Sequence, residues 1–119
     1  MKKTLFDIEF KIENNKNRWK DDFAWVEYST GEIFVTPLLL HKYKRYLPFF
    51  LFHEQAHLIY PDSGSTFEDE YVAYCYAIRK AVEQNLPIPW SIMRKRLDKR
   101  LFSLLRNYYR KLKIREIEK

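Results

Sequence analysis

Residues 49–59 read Phe-Phe-Leu-Phe-His-Glu-Gln-Ala-His-Leu-Ile, a helix-length stretch that is almost wholly apolar and yet carries two imidazoles and a carboxylate. Any fold of this chain must therefore wrap a helix on most sides and still find something for His53, Glu54 and His57 to do. On a helix, residues i and i+4 lie one turn apart on one face, so His53 and His57 aim ring nitrogens at a single point while Glu54 stands beside it. This is the H-E-x-x-H pattern, in which two His hold zinc and the Glu serves as general base of a hydrolase. The plainer alternative is a buried helix whose His side chains merely hydrogen-bond to neighbours. Of only three His in the chain, two stand at ligand spacing with an acid between them, which favours the metal reading.

The rest of the chain is read around that helix. Leu5 to Glu13 alternates, with Phe6, Ile8, Phe10 and Ile12 on one face and Asp7, Glu9, Lys11 and Glu13 on the other, as a half-buried strand does. Asn14 to Asn17 is a polar turn. Phe23 to Tyr28 is a second strand, joined by Ser29-Thr30-Gly31 to a third at Glu32 to Thr36, which Pro37 ends. Pro48 fits the first turn of the motif helix and Pro61 closes it after Tyr60. Ser65 or Thr66 caps a second helix that runs to about Asn85. Leu86-Pro87-Ile88-Pro89 breaks it, and Ser91 caps a final helix with Met93, Leu97, Leu101, Leu104, Leu105, Tyr108 and Leu112 as its apolar stripe. The expected architecture is α+β: a small antiparallel sheet of about three strands beside three main helices, in a single domain over residues 1–119.

Length and composition agree. A chain of 119 residues, 46% hydrophobic and 18% aromatic, is long enough for one core without staples, and two Gly leave no room for long flexible linkers. One Cys, Cys75, excludes an internal disulfide and suits a reducing compartment. Lys2 and Lys3 resemble the start of a secretory signal, but Asp7, Glu9 and Lys11 interrupt any apolar run, so a cytoplasmic protein without a membrane span is expected. The net charge of +6 is segregated: residues 94–119 hold eleven Lys or Arg and three acids, while the remainder holds eleven and thirteen. The basic amphipathic helix from about residue 91 is thus suited to nucleic-acid phosphates or an acidic protein, or is simply a solvated outer face.

Catalytic zinc takes three protein ligands and keeps a fourth position for water, so one more donor is needed. His41 precedes the motif helix; Asp62, Glu68, Asp69 and Glu70 follow it. On the second helix Glu70, Ala73, Tyr74, Ala77 and Ala81 share one face, and its small residues permit close approach to the motif helix. Glu70 is therefore the preferred third ligand and Glu68 the second choice. The alternative is that the acids are a solvated first turn stabilised by the helix dipole.

The stretch Gly31-Glu32-Ile33-Phe34-Val35-Thr36-Pro37-Leu38-Leu39, followed after a spacer by Phe50-Leu51-Phe52-His53-Glu54-Gln55-Ala56-His57-Leu58, resembles the strand-then-helix unit of minimal zincins. It is similar to the SprT-like and ImmA/IrrE-type metallopeptidases over roughly residues 31 to 80. Glu68-Asp69-Glu70-Tyr71-Val72-Ala73-Tyr74-Cys75 resembles the E-x-E-A-x-x-F-A segment of the ImmA/IrrE type, whose later Glu is a metal ligand and maps onto Glu70. Two departures stand out: no His follows His57, and Ile78-Arg79-Lys80-Ala81 replaces the apolar end of the ImmA/IrrE segment.

The resemblance implies a gluzincin-type zinc peptidase, with Glu54 as general base and an extended peptide held by strand addition at Glu32–Thr36. Tyr60, Tyr74 and His41 are candidates for an oxyanion partner, although nine Tyr in the chain make each an equally good packing or surface residue. The competing class is a non-catalytic nucleic-acid- or protein-binding module with a structural or vestigial metal. A zincin that has lost turnover but still binds peptides is a third.

Overall fold

The computed structural model describes residues 2–118 and has the expected α+β class. Its sheet holds four strands, β1 (Lys2–Leu5), β2 (Ile8–Ile12), β3 (Ala24–Glu27) and β4 (Glu32–Val35), in the order β1-β2-β4-β3. Five helices follow β4: α1 (Pro37–His41), α2 (Leu47–Ile59), α3 (Thr66–Gln84), α4 (Trp90–Arg96) and α5 (Lys99–Glu118). Among the described residues no helix is long and apolar enough to cross a membrane.

Three details depart from the expected arrangement. The alternating segment from Leu5 is a hairpin and not one strand: Phe6 and Asp7 both have positive φ (52° and 62°), the backbone of a two-residue mirror-image turn, and Leu5 faces Ile8 across it. Asp tolerates that conformation; Phe does so only under constraint, and the Phe6 ring packs 5.6 Å from that of Phe52 on α2. The sheet is mixed, because β2 and β4 run parallel, Lys11 beside Phe34 and Ile12 beside Val35, while β1 and β3 pair antiparallel. The basic end is two helices. It starts at Trp90 without a side-chain cap, so Ser91 does not cap it, and Leu97 is extended. Asp98 restarts the helix by accepting the N–H groups of Arg100 (2.8 Å) and Leu101 (3.3 Å).

The central helix forms as expected. Pro48 sits in the first turn of α2, and Tyr60 turns extended before Pro61, as a residue preceding proline prefers. Helix α2 lies against the sheet on one side, where Phe49 to Phe52 meet Ile8, Phe10, Val26, Ile33 and Val35, and against α3 on the other. That sandwiching is why it is apolar nearly all round. On α3 the small face is buried, with Ala73, Ala77 and Ala81 each at most 1% exposed, so the two helices approach closely. Helix α5 packs on α3 through Leu101 and Leu105. Helix α1 is an addition to the expected architecture: Thr36 Oγ1 caps it by accepting Leu39 N–H (3.2 Å) and also donates to the Asp22 carbonyl (2.6 Å), with Pro37 in the first turn.

Candidate metal centre

His53 and His57 project from the last turns of α2 toward the start of α3. Ser65 caps α3 by accepting Glu68 N–H (3.3 Å), and the loop before it is tied down by Asp62 Oδ1, which accepts Gly64 N–H (2.7 Å). Asp69 turns back to that loop and accepts from Ser63 Oγ (2.8 Å) and Ser63 N–H (3.0 Å). Glu68 faces solvent. Glu70, one helical turn before buried Ala73, is the acid delivered to the two His.

The result is three donors around one point. His53 Nε2 and His57 Nε2 are 3.3 Å apart; Glu70 places Oε1 at 3.0 Å from His57 Nε2 and Oε2 at 3.4 Å from His53 Nε2. Zinc bonds of about 2.0–2.1 Å in a tetrahedron put neighbouring donor atoms roughly 3.3 Å apart, so these separations match one face of such a site. His53, His57 and Glu70 therefore could hold a metal ion.

The charge states suit a cation. Burial pushes the His53 ring toward its neutral form, against the pull of Glu70. Burial opposes ionisation of Glu70, but hydrogen bonds from both His outweigh it and hold its carboxyl far below the usual range. Neutral imidazole and ionised carboxylate are the forms that ligate metal. His53 Nδ1 is buried without a hydrogen-bond partner; with a metal at Nε2 this atom would carry the ring proton, an unpaired donor that costs about 1–3 kcal/mol. The Tyr74 ring packs against that of His53, centroids 4.0 Å apart and tilted by 41°.

Glu54 is 7% exposed and lines a cavity of about 330 Å³ together with the three donors His53, His57 and Glu70 and with Ala24, Val26 and Arg96. Burial first, then the charges of Glu70 and Asp21, raise its pKa well above that of an ordinary carboxyl, with Arg96 opposing them. A second cavity of about 660 Å³ opens on the other side of the donors, and Tyr28, His57 and Glu70 line both. The candidate centre thus stands at the junction of a two-chambered cleft.

Several sequence expectations move. His41 is exposed at the end of α1 and lines neither cavity. Tyr60 lines the larger cavity, and Tyr74 packs against the His53 ring in the smaller one. Asp62 and Glu68 line the larger cavity and do not join the three donors. The proposed peptide-holding strand, Glu32–Thr36, has no free edge: β4 is flanked by β2 and β3. The edge beside the cleft belongs to β3. Thr36 N–H donates to the Phe23 carbonyl (2.9 Å), so by the alternation of an antiparallel ladder Trp25 and Glu27 also bond inward to β4. Ala24 and Val26 therefore present their backbone groups outward.

Tyr28 and Arg96 are cleft residues that the sequence reading missed. Tyr28 lies in the β3–β4 turn and is 69% exposed; its phenol pKa is raised by burial and then by Glu54, Glu70, Asp62 and Asp69. Arg96 ends α4, bonds Asp21 Oδ2 at 2.8 Å and lies over the Phe23 ring. No local signal marks either, since each reaches the cleft only through the packing of distant segments. No family model, curated protein or solved structure matches this chain.

Proposed function

We propose that this protein is a zinc-dependent peptidase of gluzincin type. The observation that carries this reading is the donor triangle of His53, His57 and Glu70, with separations of 3.0–3.4 Å, beside a buried Glu54. Zinc held there supplies a Lewis acid and a bound water of near-neutral pKa. Glu54 takes the proton of the attacking water on its carboxylate and returns it to the leaving amine; its apolar surroundings set the basicity that both transfers need. The outward backbone groups of Ala24 and Val26 bind the peptide as an added strand, which orients its carbonyl toward the centre. Tyr28, at the junction of the two cavities, is placed to donate to the developing oxyanion.

The test has two parts. Protein purified without added metal should contain about one zinc per chain, and the His53→Ala, His57→Ala double variant none. Glu54→Gln should keep the zinc and lose cleavage of a peptide library. Unchanged cleavage in that variant refutes the assignment.

A second reading, compatible with the first, is favoured by the outward face of α5. At 100° per residue Lys99, Arg106, Arg110 and Lys113 fall within about 60° of one another, along some 21 Å of helix, with Glu116 pairing Lys113 at 3.4 Å. Arg106 lies 4.5 Å over the Trp90 ring and Arg94 5.5 Å over that of Phe102, so aromatic faces hold two guanidinium groups in place. Such a row suits the phosphates of a nucleic acid.

A further inference from the structure

The two chambers of the cleft differ in charge. In the smaller one the cations are already paired: Lys20 bonds Glu27 at 2.9 Å and Arg96 bonds Asp21 at 2.8 Å. Among the described residues the larger one has no Lys or Arg in its walls, although the chain carries six more cations than acids. Its lining includes Leu58, Tyr60 and Val72, each about two-fifths exposed, and the carboxylates of Asp62 and Glu68, besides Asp69, which is tied to Ser63. Glu68 has no ion-pair or side-chain hydrogen-bond partner among the described residues. Tyr28 lines the same chamber, and its phenol pKa is raised by burial first and then by Glu54, Glu70, Asp62 and Asp69.

Apolar flanks closed by uncompensated carboxylates are the complement of a side chain with a long alkyl stem and a cationic head. We infer that the larger chamber is the specificity subsite of the peptidase proposed above, and that it takes a lysine or arginine side chain next to the scissile bond. The stem lies against Leu58, Tyr60 and Val72, and the head sits between Asp62 and Glu68. Substrates are then peptides with a basic residue on one side of the bond that is cut. This inference rests on the peptidase reading for the meaning of the cleft, but its test does not depend on turnover.

The probe is a set of fluorescent heptapeptides, neutral apart from one residue that is moved through the central positions and is lysine, arginine, norleucine or glutamate. They are titrated against the full zinc-loaded chain carrying Glu54→Gln, so that binding is read without cleavage. Two exposed charge contacts correspond to about a 3- to 10-fold preference for lysine over norleucine at the best position. That preference should shrink in about 0.5 M salt, and glutamate should bind more weakly than norleucine. Adding Asp62→Asn and Glu68→Gln should erase the difference between lysine and norleucine; Asn at 62 keeps the acceptor for Gly64 N–H, and circular dichroism checks that the fold is retained. Equal or tighter binding of norleucine, an unchanged preference in the doubly neutralised protein, or no binding of any peptide overturns the subsite. Failure of the wild-type chain to cut peptides that do bind with the basic preference overturns the peptidase reading alone.

Discussion

Replacing Glu70 by Ala tests the geometry of the centre most directly, because zinc stabilises a fold only to the extent that the folded state holds it. At a free zinc concentration 100 times the dissociation constant, binding adds about 2.7 kcal/mol to stability. For 119 residues the unfolding entropy is about 250 cal/mol/K, so the melting temperature should rise by about 11 °C. Loss of a direct ligand costs more than the roughly 10- to 100-fold seen when an outer-shell partner is removed. Taking about 100-fold as a floor leaves 0.4 kcal/mol or less, so the zinc-induced rise in Glu70→Ala should be about 2 °C or smaller.

The assay is differential scanning fluorimetry of the wild type, Glu68→Ala, Asp69→Ala and Glu70→Ala, each with chelator and with the same free zinc. The informative quantity is the zinc-induced shift within each variant. Asp69→Ala also loses the bonds to Ser63 at 2.8 and 3.0 Å and should melt lower with or without metal, yet keep the full shift. Glu68→Ala should behave as the wild type. A full shift in Glu70→Ala, or its loss in Glu68→Ala, refutes the donor triangle.

Three further outcomes follow from the same coordinates. Glu54 has its folded pKa raised above the ordinary value of 4.5, so the stability it contributes is complete below that value and is lost as pH rises toward the folded pKa. Metal-free Glu54→Gln should accordingly melt higher than metal-free wild type at pH 8 and equal to it near pH 4, and equal melting at pH 8 counts against the burial of that charge. Asp98→Ala removes the cap of α5 and should cost about 1 kcal/mol, or some 4 °C, with the zinc-induced shift unchanged; a loss of zinc response would mean that α5 supports the centre. Neutralising Lys99 and Arg110 to Gln should reduce the salt slope of DNA or RNA binding by about 2, and absence of binding even at about 50 mM salt discards the polyanion role.

The parts of the structure that local rules could supply were legible. The motif helix is bracketed by Pro48 and Pro61, Ser65 supplies a cap, and Ala73, Ala77 and Ala81 mark the face of α3 that brings Glu70 in. Where local signals were weak or misleading, the reading slipped. The turn at Phe6-Asp7 lacks the Gly or Asn that usually marks positive φ, and unbroken alternation across it imitates one long strand. The stop at Leu97-Asp98 lies inside a continuous apolar stripe, which hides a cap that Asp98 could have announced. Thr36-Pro37 has the same character: the proline that ends β4 is also the first turn of α1.

Strand order lay beyond local signals altogether, and it bears most on function. A four-residue strand such as β4 alternates in the same way whether it is an edge or an interior strand, and only its pairing partners, far away in sequence, decide which. The hairpin of β3 and β4 inserts so that β4 meets β2, with Lys11 and Glu32 ion-paired across that parallel boundary. Once β4 is enclosed, the free backbone beside Glu54 can only be that of β3, through Ala24 and Val26. A peptide that pairs antiparallel with β3, the geometry with the stronger ladder, must then run in the direction of β4. Under the proposed peptidase reading, its direction relative to the two chambers is tied to the insertion of one hairpin, so topology would fix which side of the scissile bond meets Asp62 and Glu68.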